Sequence, residues 1–191
     1  MSKPNVLLRV CLVASVLGVG SMVRAEDEPP IPKPTAEHKI LATEEGTWDA
    51  TIKSYPTGPD SEPMVSKGVE TNTLLAGGLW VVSTFQTDFG GQSFEGRGQF
   101  GYDTTKKKYV GSWIDSMSTS LSVLEGTYDA KTKTMTFTGD GVCPIDGSKL
   151  AQRMVTTTKD DGSREFTLYM TVTLTGGKEA KVMHVLYTKR K

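Results

Sequence analysis

From Trp48 to the C-terminus, apolar and polar residues take turns along the chain. Phe166, Leu168, Met170 and Val172 fall on one face, with Glu165, Thr167, Tyr169 and Thr171 on the other. Leu79, Val81, Phe85 and Phe89 share a face interrupted by Ser83 and Thr87, and Thr134, Thr136 and Thr138 alternate with Met135 and Phe137. A period of two marks a strand with one buried side. Turn signals divide these runs: residues 54–60, Gly77-Gly78, Gly90-Gly91, the polar stretches from Asp103 and Asp129, Asp160-Asp161-Gly162, and Gly176-Gly177. Turns roughly every 10–15 residues between β-branched and aromatic runs point to a sandwich or barrel. About ten strands are expected, and short connections make consecutive strands antiparallel neighbours. Closing such a sheet removes its edges. The pattern therefore predicts an all-β, up-and-down antiparallel barrel.

One helix is expected, over 35–44. Thr35 is its N-cap candidate, Glu37 and His38 lie in the first turn, Ile40 and Leu41 face inward, and Gly46 stops it.

Residues 1–25 read as a signal peptide. Lys3 and Arg9 form a basic start, Val10 to Val19 an apolar run, and Val23-Arg24-Ala25 a cleavage site. The apolar run, broken by Gly18 and Gly20, is too short for a membrane span of roughly 17–25 residues. Residues 26–34, charged and proline-rich, read as a linker, which leaves 35–191 as a single domain. Export places the chain in the periplasm or outside the cell. Of 22 basic and 22 acidic residues, the signal holds Lys3, Arg9 and Arg24 and no acid. The 19 bases and 22 acids that remain give a net charge of −3, which argues against nucleic acid or anionic lipid as partner. Of the two cysteines, Cys11 leaves with the signal, so Cys143 stands alone and no disulfide can form within the remaining chain.

Gly46-Thr47-Trp48, after the helix and at the head of the first strand, resembles the Gly-x-Trp opening of lipocalin-like barrels, whose Trp closes one end of the core. A longer series runs through Glu37-His38, Phe94-Glu95-Gly96, Gly101-Tyr102-Asp103, Tyr109, Trp113-Ile114-Asp115-Ser116-Met117, Gly126-Thr127-Tyr128-Asp129, Asp146-Gly147, Arg153 and Tyr187–Lys191. Together these resemble a family of exported bacterial proteins designated domain of unknown function 1579. The resemblance implies a calycin-like barrel and no activity. Cys143-Pro144-Ile145-Asp146-Gly147 departs from the Asp-Pro-x-Thr-Gly expected at that turn.

Five residues are candidate ligand contacts. Trp48 and Trp113 offer stacking surfaces, although core packing is the ordinary role of a buried aromatic. Asp115, two residues past Trp113, shares its face if inward, and Arg153, on a strand with Leu150 and Met154, is its candidate counter-ion. Such a pair would take a polar headgroup by charge-assisted hydrogen bonds. His184 lies mid-strand on the last strand, where a haem-binding barrel of the nitrobindin type holds iron; a hydrogen-bonded or outward histidine is the competing reading. No nucleophile elbow, no cofactor motif and no zinc spacing occurs, and two histidines do not make a zinc site without several carboxylates.

Three functions remain open on the sequence. The first is a binding module for a small apolar or amphipathic ligand, since a barrel of about ten strands is wider than its side chains can fill. The second is a structural or interaction protein of the cell envelope. The third is an enzyme acting through Asp115, Arg153 or His184, which requires those groups to converge.

Overall fold

Ten antiparallel strands pair in sequence order, and the last pairs with the first. The computed structural model describes residues 31–142, 147–171 and 176–191. Residues 1–30, which hold the expected signal peptide and the start of the expected linker, lie outside the described residues, as do Cys143 and Val172. The helix α1 (Ala36–Ala42) leads into β1 (Gly46–Ser54), β2 (Met64–Leu75), β3 (Trp80–Phe89), β4 (Gln92–Asp103) and β5 (Lys108–Asp115). Then come β6 (Ser122–Asp129), β7 (Thr134–Val142), β8 (Lys149–Thr158), β9 (Arg164–Thr171) and β10 (Glu179–Lys189). β1 pairs with β10 from Trp48 opposite Lys189 to Ser54 opposite Met183. The sheet is thus the closed up-and-down barrel that the alternation predicts.

Local chemistry sets the elements. The backbone N–H of Thr35 donates to His38 Nδ1 at 3.0 Å, and its hydroxyl donates to Glu37 at 2.6 Å. The first bond satisfies the backbone donor of the N-cap residue. The β3–β4 hairpin turns on Gly90 and Gly91, with φ of 66° and 95°, values that a two-residue turn between twisted strands requires. In the β4–β5 loop, Asp103 accepts from the backbone of Thr105 and Lys106, each at 2.9 Å.

The connections alternate between the two ends of the barrel. α1 packs on β3 and β4 at the end that carries the β2–β3 and β4–β5 turns. Leu41 from α1 joins Val81, Tyr109, Leu124, Met135 and Phe137 in one buried cluster. A second cluster, with Trp48, Ala50, Ile52, Phe85, Val185 and Tyr187, covers the β1–β10 seam. Both are made of inward side chains, so the core is a lining around the barrel axis.

Trp113 explains two glycines within a strand. It stands opposite Gly98 in the β4–β5 pair. A Cβ at Gly96 would lie 2.1 Å from Trp113 Cζ2, and one at Gly98 would lie 2.9 Å from its Cε3. The indole needs the bare backbone of β4 as its floor, a close approach that only glycine permits. Gly96→Ala is expected to cost about 1–3 kcal/mol, the usual range for overpacking. Urea denaturation monitored by tryptophan fluorescence checks this; an unchanged midpoint would show that Trp113 does not rest on Gly96.

Candidate functional site

The inward face of the barrel leaves a cavity of about 380 Å³, within the size range of small-molecule pockets. Its walls are mainly apolar, with Phe85, Phe137, Leu150, Met154, Leu168 and Val185 among them. It extends from the last residues of α1 to the β5–β6 connection, which contributes Met117, Ser118 and Ser120.

At the helix end a charged cluster faces this space. Arg164, 5% exposed, opens β9 in phase with Phe166, Leu168 and Met170, so the period of two aims it inward. Its guanidinium forms ion pairs with Glu44 and with Glu70, the latter at 2.7 Å. It stacks over the rings of Trp48 and Tyr187, at 3.9 and 4.6 Å from their centroids. Asn72 donates to Glu70 at 2.7 Å and to the Glu44 carbonyl at 3.1 Å; Trp48 Nε1 donates to the same carbonyl at 2.9 Å. The segment after α1 is thereby tied to β1, β2 and β9. Burial draws the Arg164 guanidinium down to about 10, still above neutrality, so it remains charged. Burial also pushes the Glu70 carboxyl above its ordinary value, against the hydrogen bonds from Asn72 and Tyr187. Two carboxylates share one cation here, which leaves Glu70 short of compensation.

The five sequence candidates separate. Trp48 belongs to the cluster beneath Arg164 and is 3% exposed. Trp113 and Asp115 both line the cavity, with Trp113 Nε1 donating to Asp115 at 3.0 Å. Asp115 also accepts from the Met117 backbone at 2.9 Å, at the end of the barrel away from α1. Arg153 is not its partner. It points out of the barrel, makes two bonds to Glu179 at 2.9 and 2.7 Å, and stacks on Tyr169. The strand period puts Gln152, not Arg153, in phase with Leu150 and Met154. His184 stands opposite Lys53 and Thr167, out of phase with the inward Met183, Val185 and Tyr187. It is absent from the cavity wall, so it offers no lumen ligand to haem iron. Burial pulls its imidazole below the ordinary value. Asp115, Arg153 and His184 therefore do not converge. Among the described residues, no group of three or more His, Cys, Asp or Glu side chains is placed to hold a metal ion.

Sequence reasoning missed Glu44, Glu70, Asn72, Arg164 and Gln152. For Arg164 and Gln152 the signal was present, since each lies two residues from apolar side chains of the inward phase. β2 gave none, because Val65 and Val69 point outward while Glu70 and Asn72 point in.

The model of a family described as protein of unknown function (DUF1579) matches residues 33–189, which include α1 and all ten strands. No curated protein matches the chain.

Arg164→Ala is expected to destabilise the protein by about 3–5 kcal/mol, because it strands two carboxylates in a buried site. Chemical denaturation measures this, and a loss below about 1 kcal/mol would mean the cluster is solvated. Glu70 also gives a pH signature. Its folded value lies above its unfolded one, so its ionisation costs stability as pH rises from 4.5 through the folded value. Glu70→Gln should gain on the wild type across that window in a series of melts; a difference flat with pH would contradict it.

Proposed function

Because the chain belongs to DUF1579, a family of proteins of unknown function, no activity comes with its membership, and we propose that the barrel binds a small hydrophobic or amphipathic molecule in its lumen. The observation that carries the reading is the apolar cavity of about 380 Å³ inside a closed ten-stranded wall. Ten strands set a circumference that the inward side chains do not fill. Transfer of an apolar ligand into such a space gains on the order of 25 cal/mol per Å² of surface removed from water. Trp113 and Asp115 supply an aromatic face and a polar group at the end away from α1. The proposal includes export: residues 1–25 carry the basic, apolar and small-residue sequence of a signal peptide. Binding outside the cytoplasm would suit carriage or scavenging of a sparingly soluble compound.

A second reading has its own observation. Ile114, Met117, Leu121 and Val123, around the β5–β6 connection, are 48–63% exposed, an apolar strip suited to an interaction protein of the cell envelope.

Titration with Nile red, an uncharged probe that brightens in apolar surroundings, separates the two. The wild type is expected to take up the probe, and Met154→Trp, which fills the lumen from β8, is expected to weaken uptake at least about tenfold. Leu150→Trp serves as a second filling variant, and circular dichroism confirms that each is folded. Equal uptake by wild type and both folded variants would place the probe on the outer strip and favour the second reading.

A further inference from the structure

Two buried side-chain nitrogens among the described residues lack a hydrogen-bond partner: Arg164 Nε and Gln152 Nε2. The rest of the Arg164 guanidinium is engaged by Glu44 and Glu70. Gln152 is different. It is 7% exposed, lies on β8 toward the end of the barrel away from α1, and lines the cavity. Its cross-strand neighbours are Gly139, which has no side chain, and Met170, which is apolar. An amide donor held in apolar surroundings without an acceptor is costly, and that cost is recovered by whatever supplies one.

The charges facing the same space constrain that acceptor further. Arg164 is held by two carboxylates, and Lys133 Nζ is bound to Asp160 at 2.7 Å. Glu44, Glu70 and Asp115 also line the cavity. The described wall therefore has three carboxylates against two cations, both already paired. Residues 143–146 and 172–175 contain no Lys or Arg. An anionic headgroup brought to Gln152 would lose its hydration and find no free positive charge among the described residues of the wall.

Resting on the lumen-binding reading, we propose that the ligand is an uncharged apolar molecule with a hydrogen-bond acceptor, such as an ester, ketone or ether oxygen, that this oxygen accepts from Gln152 Nε2, and that the lumen discriminates against carboxylates. Gln152 is a specificity-determining residue in this account: the apolar wall supplies affinity and the amide selects the polar group.

The test displaces Nile red from the full chain with a medium-chain fatty acid methyl ester and, separately, with the corresponding carboxylate at neutral pH. Wild-type protein is expected to bind the ester at least about tenfold more tightly than the carboxylate. Gln152→Leu and Gln152→Met, which remove the amide at similar volume, should weaken the ester about five- to tenfold while leaving the affinity for diphenylhexatriene, a hydrocarbon probe with no acceptor, within about twofold. Both variants should also melt at a higher temperature without ligand, because an unpaired buried amide has gone. Equal ester affinity in wild type and variants, or preference for the carboxylate, would overturn the inference while leaving lumen binding intact. Failure of the wild type to take up Nile red would overturn both.

Discussion

Closing ten strands on themselves fixes a circumference, and the shape of the interior is a consequence of that constraint. Every residue must then point into the lumen or away from it, with no edge on which to hide a misfit. A ring of this size encloses more space than an ordinary inward set can occupy. Large aromatics cover part of the deficit, with Phe85, Phe100, Trp113 and Phe137 reaching inward from the wall. They in turn demand bare backbone beside them. Gly96 and Gly98 seat Trp113, and a Cβ at Gly126 would lie 2.7 Å from Phe137. The space that the aromatics leave is the cavity.

The ends of such a barrel need separate solutions. At one end α1 lies across the opening, yet it has only seven residues, too few to stay helical by propensity. Its place depends on packing through Leu41 and on the anchoring of the segment between it and β1. Glu44, two residues past the end of the helix, reaches Arg164 on β9, while its carbonyl accepts from Trp48 and Asn72. A buried ion cluster of this kind is weak evidence of net stability, since the desolvation of its members offsets most of the attraction. Its geometric effect is firmer: four segments distant in sequence meet at one guanidinium. The lumen end so formed is polar but electrically occupied, which leaves the apolar middle and Gln152 as the part able to select a ligand.

Much of the fold was legible because a closed antiparallel barrel writes itself locally. Most strands show a two-residue period, and the turns carry glycine or aspartate chemistry within a few residues. The site was harder. Its residues are few, come from several strands, and are polar on a phase otherwise apolar. Strict attention to phase separates Gln152 from Arg153 and Val185 from His184, because one residue's shift exchanges inside for outside. β2 defeats that rule, since its inward positions include Ser66, Gly68, Glu70 and Asn72 while valines face solvent. No local pattern could reveal that Glu70 meets an arginine 94 positions away; only closure of the ring brings them together.

Lumen binding requires a dry and unfilled apolar space inside the barrel. Diffraction from crystals of the protein pressurised with xenon tests it most directly, because xenon settles in apolar cavities and not in packed or hydrated ones. Xenon density is expected inside the barrel, bounded by Phe137, Leu150 and Leu168 and within reach of Gln152. A lumen without xenon, closed by its own side chains or threaded by ordered water, would contradict it.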